Sequence, residues 1–115
     1  MLTAKLQKGK NKARYFEFLI DSGADYTLIS KSDAYLLGIE YEKIDTKEIE
    51  IEVANLSFIH AKKSLVKITV GNHSFNTQIL IAKEGVERLI GRKGLFTEFK
   101  ITFKEKENTV IFNKC

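Results

Sequence analysis

The residues best placed to do chemistry lie in one short run, Phe18-Leu19-Ile20-Asp21-Ser22-Gly23-Ala24-Asp25-Tyr26-Thr27-Leu28-Ile29. An apolar stretch runs straight into a carboxylate, then a hydroxyl residue, a glycine and a small residue, and turns apolar again. A strand that delivers a carboxylate from the core into a tight Ser-Gly turn carries a cost unless the acid is paired or protonated. The plainer alternative is an ordinary turn after a strand, for which Asp-Ser-Gly is good material. Asp25, Asp33 and Asp45 lack the setting of Asp21. His60 and His73 fall on strand and turn positions without metal-ligand spacing to each other or to Cys115, and read as surface residues. No metal and no other cofactor is expected.

The elements that must position Asp21 read mostly in period two. Thr3 to Gln7 and Ala13 to Ile20 flank the turn-like Lys8-Gly9-Lys10-Asn11, an opening hairpin. Glu48 to Val53 alternates strictly, with one apolar face and one acidic face. Ser64 to Val70 and Ser74 to Ala82 bracket Gly71-Asn72-His73, and Ile101 to Phe103 and Val110 to Phe112 bracket Lys106-Glu107-Asn108. Helical signals are short. Ser30-Lys31-Ser32-Asp33 caps a helix of one or two turns that ends at Gly38, and Gly91 to Phe99 reads as a second, with Leu95, Phe96 and Phe99 on one side. The expectation is a mainly-β domain, a closed or nearly closed β-barrel with one or two short helices.

The chain has 115 residues, enough for one compact domain. At 43% hydrophobic and 30% charged it can form a core, which excludes disorder as the main reading. The lone Cys115 makes no internal disulfide. No apolar run is long enough to span a bilayer, and Met1 to Lys12 is too polar for a signal peptide, so a soluble, cytoplasmic protein is expected with no membrane partner. Nineteen basic residues against fifteen acidic ones leave +4, and the one sign-pure cluster is Lys5, Lys8, Lys10, Lys12 and Arg14. On a hairpin these are solvated edge and turn residues, and no specific nucleic-acid partner is expected. A small basic nucleic-acid-binding β-domain remains a minor alternative, which steep salt dependence of binding would favour.

The run around Asp21 resembles the active-site signature of aspartic proteases, apolar-apolar-Asp-Thr/Ser-Gly-Ala. Leu89-Ile90-Gly91-Arg92 resembles the apolar-apolar-Gly-Arg motif of retropepsin-like proteases, the single-domain aspartic proteases of retroviruses and their cellular relatives. Glu52-Val53-Ala54-Asn55-Leu56-Ser57 resembles a flap sequence of that family, with Leu56 where a glycine is common. The order of elements covers nearly the whole chain, and the strands over 100–112 look like the cellular DNA-damage-inducible retropepsins.

The resemblance implies one domain over 1–115 with a flap hairpin near 48–62, a helix near 91–99 and a C-terminal hairpin near 100–112. It implies an aspartic endopeptidase with Asp21 as the catalytic carboxylate and Ser22, Gly23 and Ala24 supporting its loop. Ser22 would hydrogen-bond across a dimer axis, and Asp25 and Arg92 would form an ion pair tying the loop to the C-terminal helix. Val53, Ala54, Asn55 and Leu56 would contact substrate from the flap, with Ile20, Ile51 and Ile90 lining the pocket. Peptide hydrolysis of this kind needs two carboxylates, and this sequence has one such run. The second must come from another copy, so a homodimer acting on a peptide or protein substrate is implied. The alternative is a catalytically inactive peptide-binding or dimerisation module on the same fold.

Overall fold

The structure, a computed structural model of the chain, describes residues 1–53, 57–94, 99–104 and 109–114. Strand β1 (Leu2–Gln7) buries Leu2, Ala4 and Leu6 on one face and pairs antiparallel with β2 (Arg14–Ile20), which buries Phe16 and Phe18. β3 (Leu28–Ser30) runs directly into helix α1 (Lys31–Leu36). Ser30 caps that helix, its Oγ accepting the Asp33 N–H at 3.3 Å. The helix ends as expected, with the Leu37 and Gly38 N–H groups returning to the Ala34 and Tyr35 carbonyls. After a 3-10 turn at Tyr41–Lys43 come β4 (Ile49–Val53), β5 (Ser57–Val70), β6 (His73–Ala82) and the short β7 (Leu89–Ile90). β8 (Phe99–Lys104) and β9 (Thr109–Lys114) pair antiparallel.

Strands β1-β2-β7-β3-β6-β5 follow one another by hydrogen bonding, and β5 returns to β1 through Leu6↔Ile68, so six strands close into a ring. The mainly-β fold with a short helix is therefore what the chain adopts. Closure leaves these strands without free edges, apart from the stretches where they overhang one another. Two pairings in the ring are parallel, β2 with β7 and β3 with β6.

The β5–β6 hairpin carries two apolar clusters on its opposite faces. Val66, Ile68, Val70, Phe75, Ile79 and Ile81 join Phe16, Phe18, Ile29 and Ile90 in the sealed main core. One residue out of phase, Ile59, Ala61, Leu80 and Ala82 face the other way and join Leu28, with Ile49, Ile51, Val86 and Leu89 packed against them. Because strand side chains alternate, a shift of one position moves a residue between the clusters.

β5 also runs past the end of β6. Its first residues pair with β4 alone, in the register Ile51↔Ile59 and Val53↔Ser57, so the β4–β5 hairpin projects from the ring where a flap was expected. Its root is held where β6 ends: the Lys83 N–H donates to the His60 carbonyl at 2.8 Å, and the His60 N–H donates to Glu84 Oε1 at 2.9 Å. Of the expected flap contacts, Ala54, Asn55 and Leu56 lie outside the described residues.

The stretch 91–99 differs from the expected helix in its described parts. Residues 91–94 form a turn, and Phe99 already belongs to β8. Gly94 has φ of +86°, a left-handed conformation that ends any right-handed helix begun at Gly91.

Candidate functional site

Asp21 sits where β2 leaves the ring. Phe16 and Phe18 anchor the strand in the core, and the Asp21 N–H donates to the Ile90 carbonyl at 3.0 Å. The following turn closes on the acid itself. The Ala24 N–H donates to the Asp21 carbonyl at 3.2 Å, and the Gly23 N–H donates to Asp21 Oδ1 at 2.9 Å. The carboxylate is thus oriented by its own turn while only half-buried. Ser22 stands exposed at the tip.

A second segment straps this turn down. The N–H groups of Arg92 and Lys93 donate to the carbonyls of Ala24 and Asp25, each at 2.8 Å. The Gly91 N–H donates to Thr27 Oγ1 at 3.3 Å, and Thr27 is fully buried, its carbonyl accepting the Leu80 N–H at 2.8 Å. Gly91 has to be glycine for this approach, since a Cβ there would fall on the Tyr26 carbonyl and lie 2.9 Å from the Ala24 oxygen. The Gly-Arg motif therefore works here through its backbone.

The expected Asp25–Arg92 ion pair is not formed among the described residues. Both side chains are exposed, where an ion pair gains little over hydration. The strong ion pair is elsewhere and was not legible from local pattern: Arg88 grips Asp33 through Nε at 2.8 Å and an Nη at 3.1 Å. The Asp33 side chain is only 10% exposed, and the Arg88 guanidinium lies 5.1 Å from the Phe16 ring centre. This pair ties α1 to the chain leading into β7. It raises the Arg88 pKa above its ordinary value, through the Asp33 hydrogen bonds first.

Asp21, Gly23 and Ala24 open onto a cleft of about 860 Å³. Its wall is the second apolar cluster: Leu28, Ile49, Ile51, Ile59, Leu80, Val86 and Leu89 all line it. Ile51 is among them. Ile90 is not, being fully buried in the main core, and Ile20 packs against that same core. The reason is parity: Ile20↔Ile90 and Leu19↔Leu89 are neighbouring register pairs, and it is Leu89 that faces the cleft. Val53 ends β4 opposite Ser57.

Two lysines converge at one edge of the cleft. Lys63 Nζ lies 4.8 Å and Lys93 Nζ 4.5 Å from the centre of the Tyr26 ring, and Lys93 Nζ donates to the Tyr26 hydroxyl at 3.1 Å. Tyr26 is lowered from the ordinary tyrosine pKa, mainly by hydrogen bonding to Lys63 and then to Lys93. On the outer face of the hairpin root, His60 Nδ1 lies 2.8 Å from Glu84 Oε2 and Nε2 lies 3.6 Å from Glu50. The Glu84 hydrogen bond raises the His60 pKa, and that contact lowers Glu84. Among the described residues no group of three or more His, Cys, Asp or Glu is arranged to hold a metal ion, and no helix is long and apolar enough to cross a membrane.

Comparison with known proteins gives a consistent picture. The family model described as "gag-polyprotein putative aspartyl protease" matches residues 8–95. A retropepsin-like aspartic protease from Rickettsia conorii superposes with a TM-score of 0.71 at 18% identity, over 98% of this chain and 80% of that one. The retroviral protease-like domain of Ddi1 from Leishmania major gives 0.64 at 13% identity, over 98% and 88%. The EIAV protease, solved with the inhibitor HBY-793, gives 0.55 at 15% identity, over 83% of each chain. These likenesses establish a shared fold. No curated protein matches the chain at a significant level.

Proposed function

The chain belongs to the gag-polyprotein putative aspartyl protease family, and from that premise we infer that it is an aspartic endopeptidase that works as a homodimer. The observation that carries this reading is the setting of Asp21. One carboxylate, its Oδ1 fixed by the Gly23 N–H, faces an apolar-walled cleft beneath a projecting hairpin. One such acid per chain makes half a dyad. A two-fold axis beside the Asp21 turn supplies the other half, with the exposed Ser22 placed to bond across it.

In the dimer the two Asp21 carboxyl groups share one proton, because like charges about 3 Å apart cannot both ionise. The ionised acid takes a proton from a water molecule as that water attacks the scissile carbonyl carbon. The protonated acid hydrogen-bonds the carbonyl oxygen and stabilises the tetrahedral adduct, and the acid that took the water's proton then gives it to the leaving nitrogen as the C–N bond breaks. Apolar side chains flanking the scissile bond pack on Ile49, Ile51, Leu80 and Leu89, each contact removing hydrocarbon from water. Contact of Val53, Ala54, Asn55 and Leu56 with the peptide is proposed from the likeness of that sequence to family flap sequences alone.

The test is cleavage of an apolar-rich peptide at mildly acidic pH, followed across a dilution series with sedimentation in parallel. Activity per chain is expected to fall together with the dimer fraction, and to vanish in Asp21→Asn. Cleavage by Asp21→Asn, or full activity in monomers, overturns the reading. Peptide binding and dimerisation without any cleavage would establish the inactive module instead.

A further inference from the structure

The Lys63–Tyr26–Lys93 cluster has no role in the chemistry above, yet it borders the same cleft. Tyr26 and Lys63 both line it, and the other charged residues lining it are acidic: Asp21, Asp25, Glu52 and Glu87. Two ammonium groups are held within 5 Å of one phenol ring, on residues brought together from the Asp21 turn, from β5 and from the strap after β7. Among the described residues neither lysine forms a salt bridge with a carboxylate; Asp25 is the acid whose charge reaches Lys93, as the smallest contribution to its raised pKa. The phenol partly offsets the two charges through its ring face and its hydroxyl oxygen. An anion arriving from the cleft would neutralise these charges more fully than a neutral phenol can.

Resting on the protease reading, we propose that Lys63, Lys93 and Tyr26 form an anion-selective subsite, so that the preferred peptides carry Glu or Asp at one position beside the apolar residues at the scissile bond. The side-chain carboxylate lies between the two ammonium groups, and Tyr26 presents its ring edge and hydroxyl as a template. The acidic lining elsewhere makes this preference positional. An acid moved to another peptide position meets Asp25, Glu52 or Glu87 and is disfavoured. Net positive charge alone would produce no such dependence on position.

The experiment uses apolar reference peptides with Gln, Glu or Lys placed at each flanking position in turn. Cleavage is read with the wild-type protein and binding by fluorescence anisotropy with Asp21→Asn. At one position Glu is expected to exceed Gln by about five- to tenfold in kcat/KM and in affinity, with the ratio shrinking as salt is raised. Lys63→Met with Lys93→Met should bring that ratio to about one, and the Arg pair should keep it. Lys63→Glu should shift the preference at that position towards Lys. Cleavage of the reference peptides with no Glu preference at any position overturns the subsite and leaves the protease reading standing. A positional Glu preference in binding without cleavage of any peptide supports the subsite and overturns the protease reading. A Glu preference that survives in the double Met variant overturns the assignment to these lysines.

Discussion

Two apolar clusters use opposite faces of the same strands, and they differ in what covers them. The main core is sealed by β1, β2 and α1, so Phe18, Ile81 and Ile90 lose all contact with solvent. The second cluster has the projecting β4–β5 hairpin on one side and open space on the other, and that space is the cleft beside Asp21. Burial in the first is finished within one chain. In the second, Leu28, Ile59 and Leu80 are buried, while Ile49, Ile51, Val86 and Leu89 along the cleft stay half-exposed. The fold thus divides its hydrocarbon between a sealed core and the wall of a cleft, and the division falls between adjacent residues.

That division is sharpest at β7. Ile90→Ala should destabilise the protein by about 2–5 kcal/mol, since it empties a sealed site. Leu89→Ala should cost only about 1 kcal/mol in stability, because the side chain is half-exposed, while raising KM for peptides with large apolar residues. Denaturant melts and peptide kinetics on the two variants separate these effects. Equal stability losses would mean the two faces are equivalent after all.

Next in size is Gly91→Ala. The new methyl group meets backbone, which cannot rotate away, so the Asp21 turn and the strap must separate. A stability loss of about 1–3 kcal/mol is expected, with a greater proportional loss of activity than Leu89→Ala shows. Arg88→Ala follows, at about 1–2 kcal/mol, below the cost for a fully buried pair because the guanidinium is 39% exposed. It should leave peptide selectivity unchanged, as the pair braces α1 away from the apolar wall.

The smallest effect is a pH dependence at the hairpin root. Bonding to Glu84 raises His60 above its ordinary pKa of 6.5, so its stabilising contribution is complete below that value and is lost as pH rises through the raised one. Glu84 is lowered from 4.5, so its contribution is present above 4.5 and is lost as pH falls through the lowered value. The root should therefore be held best between about pH 4.5 and 6.5. Hydrogen exchange of the His60 amide across pH should show greatest protection there, and His60→Ala should flatten the profile.

The parts legible from sequence were those written in local pattern. The Asp21 turn stood out because an apolar strand ran into Asp-Ser-Gly, and α1 because Ser30 and Gly38 bracket it. The hairpins followed from alternation, down to the pairing of β8 with β9. Ile20 falls on the core side because β2 puts it in phase with Phe16 and Phe18. Ile90 could not be assigned a side, because the two-residue β7 has no alternation of its own to set its phase. Its facing is decided by its parallel pairing with β2, a nonlocal fact. The Asp33–Arg88 pair and the convergence of Lys63 and Lys93 on Tyr26 likewise join residues far apart in sequence, from side chains unremarkable in their own segments. Of the expected helix over 91–99, residues 91–94 form a turn instead, with Gly94 in a left-handed conformation that its apolar neighbours in sequence could not announce.

The central claim is that two copies of Asp21 make one active site, and mixed dimers test it most directly. Wild-type protein at fixed concentration is mixed with increasing Asp21→Asn and allowed to exchange subunits, and peptide cleavage is then measured. If the acids are shared, activity falls towards zero as wild-type chains are drawn into dimers with a single Asp21. Activity that stays proportional to the wild-type protein present, whatever the excess of variant, would mean each chain carries a complete site and would contradict the account.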